Sequence, residues 1–268
     1  MQTCTKSVLK HVGGEHGFSI IEMLIALALI SAVLGVAVKG MIDMQRRSSS
    51  ETSKTDTVQE TRDFIDQVVR DIHDAGYPPA RAVYWPIAGT IPLCTYPTGT
   101  VITAVRNTTT IACGIVSYSH TQVIFEGDLD GTGVSVVILD IIPTVSGACP
   151  CILRRGVLTK TAYLANATPQ YFTEVSGILN SGNGTGTGSA YGVTLPAPGS
   201  YGVYATADLF DAYDVSGNSV APCSLTTTPD CTSIRSVQIT TNVVPSFSDP
   251  VTKIYPVFSI TSKARLNF

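Results

Sequence analysis

Glu22 is the single charged residue in positions 18–38, a run of 21 residues that is otherwise apolar or small. A carboxylate inside an apolar helix costs about 2.5–3.5 kcal/mol at mid-membrane, and less nearer the end, so its presence calls for a partner. The cheapest partner is a positive charge at the same depth. If the chain were cut after Gly17, Phe18 would carry a new α-amino group about one helical turn from Glu22. A neighbouring copy, staggered along the helix axis, would then bring its own amine to this carboxylate. The chemistry implied is charge pairing between chains.

A second constellation is acidic. Glu126, Asp128 and Asp130 stand at alternate positions before Gly131 and Gly133, the oxygen-rich spacing of a Ca²⁺ loop with a glycine for its tight turn. The twelfth position would be Val137, where an EF-hand needs a bidentate Glu. A metal-free β-turn between strands uses the same residues, because Asp and Gly favour turns. The turn is the preferred reading and bound calcium the alternative.

Seven cysteines become six if Cys4 leaves with a leader. Cys94, Cys113, Cys149, Cys151, Cys223 and Cys231 form an even set that fits disulfides in an oxidising compartment. Six cysteines allow 15 pairings. Local closures Cys94–Cys113 and Cys223–Cys231 are favoured, whereas Cys149-Pro-Cys151 is awkward for a mutual bond and is expected to pair elsewhere. A zinc cluster is the other reading, but no C-x-x-C repeats and no His lies near the cysteines.

Signals for catalysis are thin. His120 stands beside Ser117, Tyr118 and Ser119, with no G-x-S-x-G elbow and no identifiable third member of a triad. Residues 181–189, SGNGTGTGS, match neither a phosphate-binding loop nor G-x-G-x-x-G, and read as a flexible loop. Arg154, Arg155 and Lys160 make a small basic spot, read as a solvated strand end with a DNA or anionic-surface contact as the alternative. Charged residues are only 14 % of the chain, and without residues 1–17 there remain 15 basic and 19 acidic side chains, a net −4. Such a balance does not suit a general nucleic-acid binder. The sequence therefore gives no enzyme, and no cofactor beyond the calcium alternative.

These residues need elements to position them. Residues 18–38 match the roughly 20 helical residues that span a bilayer core. No proline interrupts positions 39–75, and Phe64, Ile65, Val68, Val69 and Ile72 recur at helical spacing, with Arg62, Asp63, Asp66, Arg70, Asp71 and Asp74 expected on the other faces. Gly76, Pro78 and Pro79 mark the stop. The polar stretch 48–57, SSSETSKTDT, has poor helix propensity and no apolar face, so a break is expected there, with Gly35 and Gly40 as further weak points. Strands are expected at 101–106, 111–118, 121–126, 134–142, 151–155, 201–206, 234–241 and 254–266. The fold class is α+β: a long N-terminal helix, transmembrane and then amphipathic, packed against a C-terminal antiparallel β-rich globular domain. The divisions are 1–17, 18–76 and 77–268. Lys6 and Lys10 precede the span, but Lys39, Arg46 and Arg47 follow it, so charge alone does not orient it.

Gly17-Phe18-Ser-Ile-Ile-Glu22 followed by an apolar run resembles the class III signal of type IV pilins and type II secretion pseudopilins. The resemblance implies that residues 1–17 are a leader removed by a prepilin peptidase between Gly17 and Phe18, that Phe18 is N-methylated, and that Glu22 directs subunit assembly. Residues 63–79, DFIDQVVRDIHDAGYPP, are similar to the helix end of W-type minor pilins and J-type pseudopilins. The stretches 233–244 and 258–268, the latter ending Arg265-Leu-Asn-Phe268, resemble the paired last strands of that subgroup. Many pilins have a proline where Lys39 stands here. The resemblance implies a subunit held in the inner membrane by one helix, with its C-terminal domain outside the cytoplasm, then assembled into a pilus. Its partners would be other pilin or pseudopilin subunits, the peptidase and an inner-membrane assembly platform. A type II secretion pseudopilin is the near alternative, and a membrane-anchored binding module or adhesin that never polymerises is the distant one.

Overall fold

The computed structural model describes residues 19–79, 111–145, 148–181, 192–193, 201–224 and 231–267. The chain divides into two compact units, one ending at Arg47 and the other beginning at Ser48. Helix α1 (Ile20–His73) supplies all described residues of the first unit except Ser19. There its large apolar side chains face outward on every side: Ile20, Leu24, Leu27, Leu29, Val33 and Leu34 are all more than half exposed. A helix apolar all round belongs in a membrane or in the core of an assembly. Ser31, the polar exception, donates its hydroxyl to the Leu27 carbonyl at 2.7 Å.

In the second unit α1 runs unbroken through 48–57, against the expected break. The hydroxyls that lower helix propensity are turned inward along the helix itself. Thr55 donates to the Glu51 carbonyl, Thr57 to Ser53 and Thr61 to Thr57. Lys54 pairs with Glu51 at 2.7 Å and lies 3.6 Å from Asp249 in the β domain. Ser50, Thr57 and Thr61 are buried, so this stretch does have a packed face, made of small polar residues that leave no hydropathy signal.

Among the described residues eleven strands form one sheet. They are β1 (Gly114–Tyr118), β2 (Gln122–Gly127), β3 (Ser135–Val145), β4 (Ala148–Thr159), β5 (Gln170–Ile178), β6 (Gly192–Val193), β7 (Phe210–Tyr213), β8 (Ser219–Val220), β9 (Cys223–Ser224), β10 (Ser236–Val243) and β11 (Phe258–Arg265). The order is β8-β7-β10-β5-β4-β3-β2-β1-β9, with β11 beside β10 and β6 beside β4. Every pairing is antiparallel except β4 with β6. Two short helices, α2 (Lys160–Leu164) and α3 (Gly202–Ala205), complete the elements. This is the α+β architecture anticipated from the sequence.

One core joins helix and sheet. Phe64, Ile65, Val68 and Ile72 of α1 share it with Val123 and Phe125 of β2, Val137, Leu139 and Ile141 of β3, and Val237, Ile239 and Val243 of β10. The strand members recur every second residue and so face the helix together. The end of α1 is locked to β2. Gly76, at φ 85°, ends the helix and donates its N–H to the Glu126 carbonyl at 2.8 Å, while Asp128 N–H donates to Tyr77 O at 2.9 Å. A Cβ on Gly127 would come within 2.9 Å of the Asp74 carbonyl oxygen, so helix and strand backbones nearly touch.

Several strand expectations need correction. Residues 201–206 hold helix α3, not a strand. Tyr204 N–H closes a turn on Tyr201 O, and the Tyr201 hydroxyl is anchored at 3.1 Å to both the carbonyl and the N–H of Tyr255. Strand β4 is longer than the expected 151–155, because β3 pairs along its whole length from Ser135↔Thr159 to Val145↔Ala148. Strand β5 was not anticipated. The expected strand 101–106 and most of the loop 181–189 lie outside the described residues.

Gly177 makes a sharp prediction. It sits at φ 79° where the β4–β5 register slips, and an added Cβ would run into the Val244 carbonyl. Gly177→Ala is expected to cost about 2–5 kcal/mol, combining left-handed backbone strain with a steric clash. Urea denaturation followed by far-ultraviolet circular dichroism measures it, and an unchanged midpoint would refute it.

Candidate functional site

The apolar helix and its one carboxylate make the leading site. Ser19 opens α1, its carbonyl accepting from Glu22 N–H at 3.0 Å and Met23 N–H at 3.1 Å. Glu22 lies in the first turn, where unpaired backbone N–H groups favour negative charge. It is exposed, between the exposed Ile21 and Met23, with Ile25 one turn on. Gly17 and Phe18 lie outside the described residues. The described residues hold one helix long and apolar enough to cross a membrane, and it is this one. Chemically, the arrangement offers a lone acceptor on a greasy surface to an amine from another chain.

The acidic constellation does not converge. Glu126 is fully buried, with Lys160 Nζ 2.8 Å from its Oε2, which also accepts the Cys113 N–H at 2.9 Å. Asp128 Oδ1 accepts the N–H groups of Gly131 and Gly133, and Asp130 Oδ1 accepts the Thr132 N–H and hydroxyl. The Thr132 bonds hold the Asp130 carboxyl below its usual range. Glu126, the last side chain of β2, therefore points into the core, while Asp128 and Asp130 lie beyond the strand and accept from the backbone of the turn, so the three carboxylates are not brought together.

His120 has a carboxylate beside it, as a triad's histidine does, but the neighbouring Ser117 and Ser119 hydroxyls are bonded elsewhere. Its Nδ1 lies 3.1 Å from Asp208 Oδ2. The Ser117 hydroxyl is bonded to Cys223 O and that of Ser119 to Gln122 O.

The basic spot is not a solvated strand end: all three cations are paired with carboxylates of this chain and largely withdrawn from solvent. Arg154 grips Asp140 through two bonds of 2.6 and 2.8 Å and stacks 3.7 Å from the Tyr171 ring centroid. Arg155 Nη2 donates to Asp71 Oδ2 at 2.7 Å, and Lys160 is buried against Glu126. Burial pushes the Asp71 carboxyl up more than Arg155 pulls it down. Once β3 and β4 are known to form a hairpin, counting from its ends pairs Asp140 with Arg154. No comparable sequence signal links Asp71 to Arg155 or Glu126 to Lys160.

Cys149 and Cys151 are bonded to each other, contrary to the expectation that each pairs elsewhere. Their Cα atoms stand 4.3 Å apart, just short of the usual range. Cys223 and Cys231 form a second disulfide, with Cα atoms 5.3 Å apart. Cys113 is disulfide-bonded as well, and Cys94 lies outside the described residues.

Comparison with known proteins bears on the N-terminus. No curated protein and no solved structure matches the chain significantly. Residues 13–38 match the family described as the prokaryotic N-terminal methylation motif. That match covers the Gly17–Phe18 junction, Glu22 and the whole apolar run, and it supports a type IV pilin-like or pseudopilin precursor.

Proposed function

We propose that this chain is a minor pilin of the W/J-like subgroup, a structural subunit and not an enzyme. It is cut between Gly17 and Phe18, methylated on the Phe18 amine, and drawn from the inner membrane into a type IV pilus through its apolar helix. One coincidence carries the reading: the methylation motif at 13–38 falls on a helix whose apolar surface is exposed on all sides. Such a surface is stable only against lipid or other helices. Glu22 then finds the Phe18 amine of a neighbour. The disulfides fit a C-terminal domain lying outside the cytoplasm. The size of the 77–268 domain and the helix end at Gly76 favour a priming or tip position over the bulk of the shaft.

The same motif also serves pseudopilins of type II secretion, whose filaments push exoproteins outward. Intact mass measurement of the mature protein from sheared surface filaments tests the proposal. The expected species begins at N-methylated Phe18. A protein that keeps Met1, or starts at another residue, removes the filament reading and leaves an anchored module. Recovery of the methylated form only from envelope fractions of a secreting cell favours the pseudopilin.

A further inference from the structure

Three segments of the β domain bring metal-binding groups together. His120 lies in the turn between β1 and β2, Asp208 just before β7, and Asp211 within β7. One imidazole nitrogen and one oxygen of each carboxylate all lie within 4.8 Å of one another, and all three residues are half-buried. Among the described residues no other set of three His, Cys, Asp or Glu side chains converges in this way. The backbone ties the segments to each other. The His120 carbonyl accepts the N–H of Leu209 at 3.0 Å and of Phe210 at 3.2 Å, and Asp211 is fixed opposite Gln238 on β10. Tyr118 completes the surround, its hydroxyl donating to Phe210 O at 3.2 Å and its ring standing edge-on to the imidazole.

We propose that His120, Asp208 and Asp211 form a site for a divalent zinc-type cation that staples the β1–β2 turn to β7. The donor set selects the metal. Calcium and magnesium take oxygen ligands, whereas an imidazole with two carboxylates suits zinc and its borderline neighbours. Zinc holds such donors at about 2.0–2.2 Å, so atoms already within 4.8 Å of one another need only small side-chain adjustments to share one ion. Three protein ligands leave a fourth position to water.

Calorimetric titration of the full-length chain in detergent with zinc chloride tests the site, beside His120→Ala and Asp211→Asn. The unsubstituted chain is expected to bind one equivalent that each variant loses, or binds at least about tenfold more weakly. His11, His16 and His73 offer zinc other places, so the difference between chains is the readout. Asp211→Asn preserves size and shape and decides the matter should His120→Ala fail to fold. Equal zinc binding by the unsubstituted chain and Asp211→Asn, or no binding by the unsubstituted chain, overturns the proposal.

Discussion

Glu22→Ala is expected to leave membrane insertion intact and to empty the sheared-filament fraction of this subunit. Removing a carboxylate from an apolar helix makes insertion easier, so a loss of assembly in this variant cannot be blamed on failure to enter the bilayer. The side chain is exposed in the first turn of α1. No described residue packs around the apolar window of this helix, so the variant has no folded contacts there to lose. The missing interaction is instead the one with another chain's amine. Glu22→Gln separates charge from hydrogen bonding, since it keeps an acceptor but no negative charge, and it should fail nearly as badly. Immunoblots of sheared filaments against washed membranes give the answer. Normal filament levels of the alanine variant would remove the pairing argument and return the helix to a simple anchor.

Lys160→Met is the largest expected loss of stability, about 3–5 kcal/mol, because it strands a buried carboxylate without its cation. The Lys160 side chain is 2 % exposed and that of Glu126 0 %. Beyond the ion pair, Lys160 Nζ donates to Ile111 O at 2.8 Å, so one ammonium holds β2, the start of α2 and the segment entering β1. A double-mutant cycle distinguishes a stranded charge from lost packing. Glu126→Gln combined with Lys160→Met should be less destabilised than the sum of the two single variants, since the uncompensated charge is gone. Additive losses, read from denaturant midpoints, would mean that the pair acts only by filling space.

What could be read from the chain follows the range of the interaction. The span at 18–38 and the amphipathic face of Phe64, Ile65, Val68 and Ile72 were legible because helical periodicity is local. Strands β2, β3 and β10 were legible because their inward residues alternate. Strand β5 was not, because of its nine residues only Val175 and Ile178 are fully buried and Gly177 interrupts the alternation. The polar stretch 48–57 looked like a break because side chains that bond their own helix carry no hydropathy pattern. Of the candidate site, Glu22 stood out at once. Glu126 read as part of a turn or, alternatively, of a calcium loop, and its pairing with Lys160, 34 positions away, leaves no local signal. The grouping of His120 with Asp208 spans still more sequence and depends on β7 lying where His120 O can accept from Leu209 and Phe210.

The junction of α1 with β2 also has a mechanical meaning. Traction applied along the 48–73 portion of the helix arrives at Gly76 and Tyr77, whose two hydrogen bonds to Glu126 and Asp128 straddle Gly127. Neighbouring bonds that share a tug must break together, which resists rupture better than a row that opens one by one. Behind them stands the ammonium of Lys160, gripping the same glutamate by its side chain. A tether built this way passes strain directly into β2, an interior strand of the sheet, and the turn that follows it.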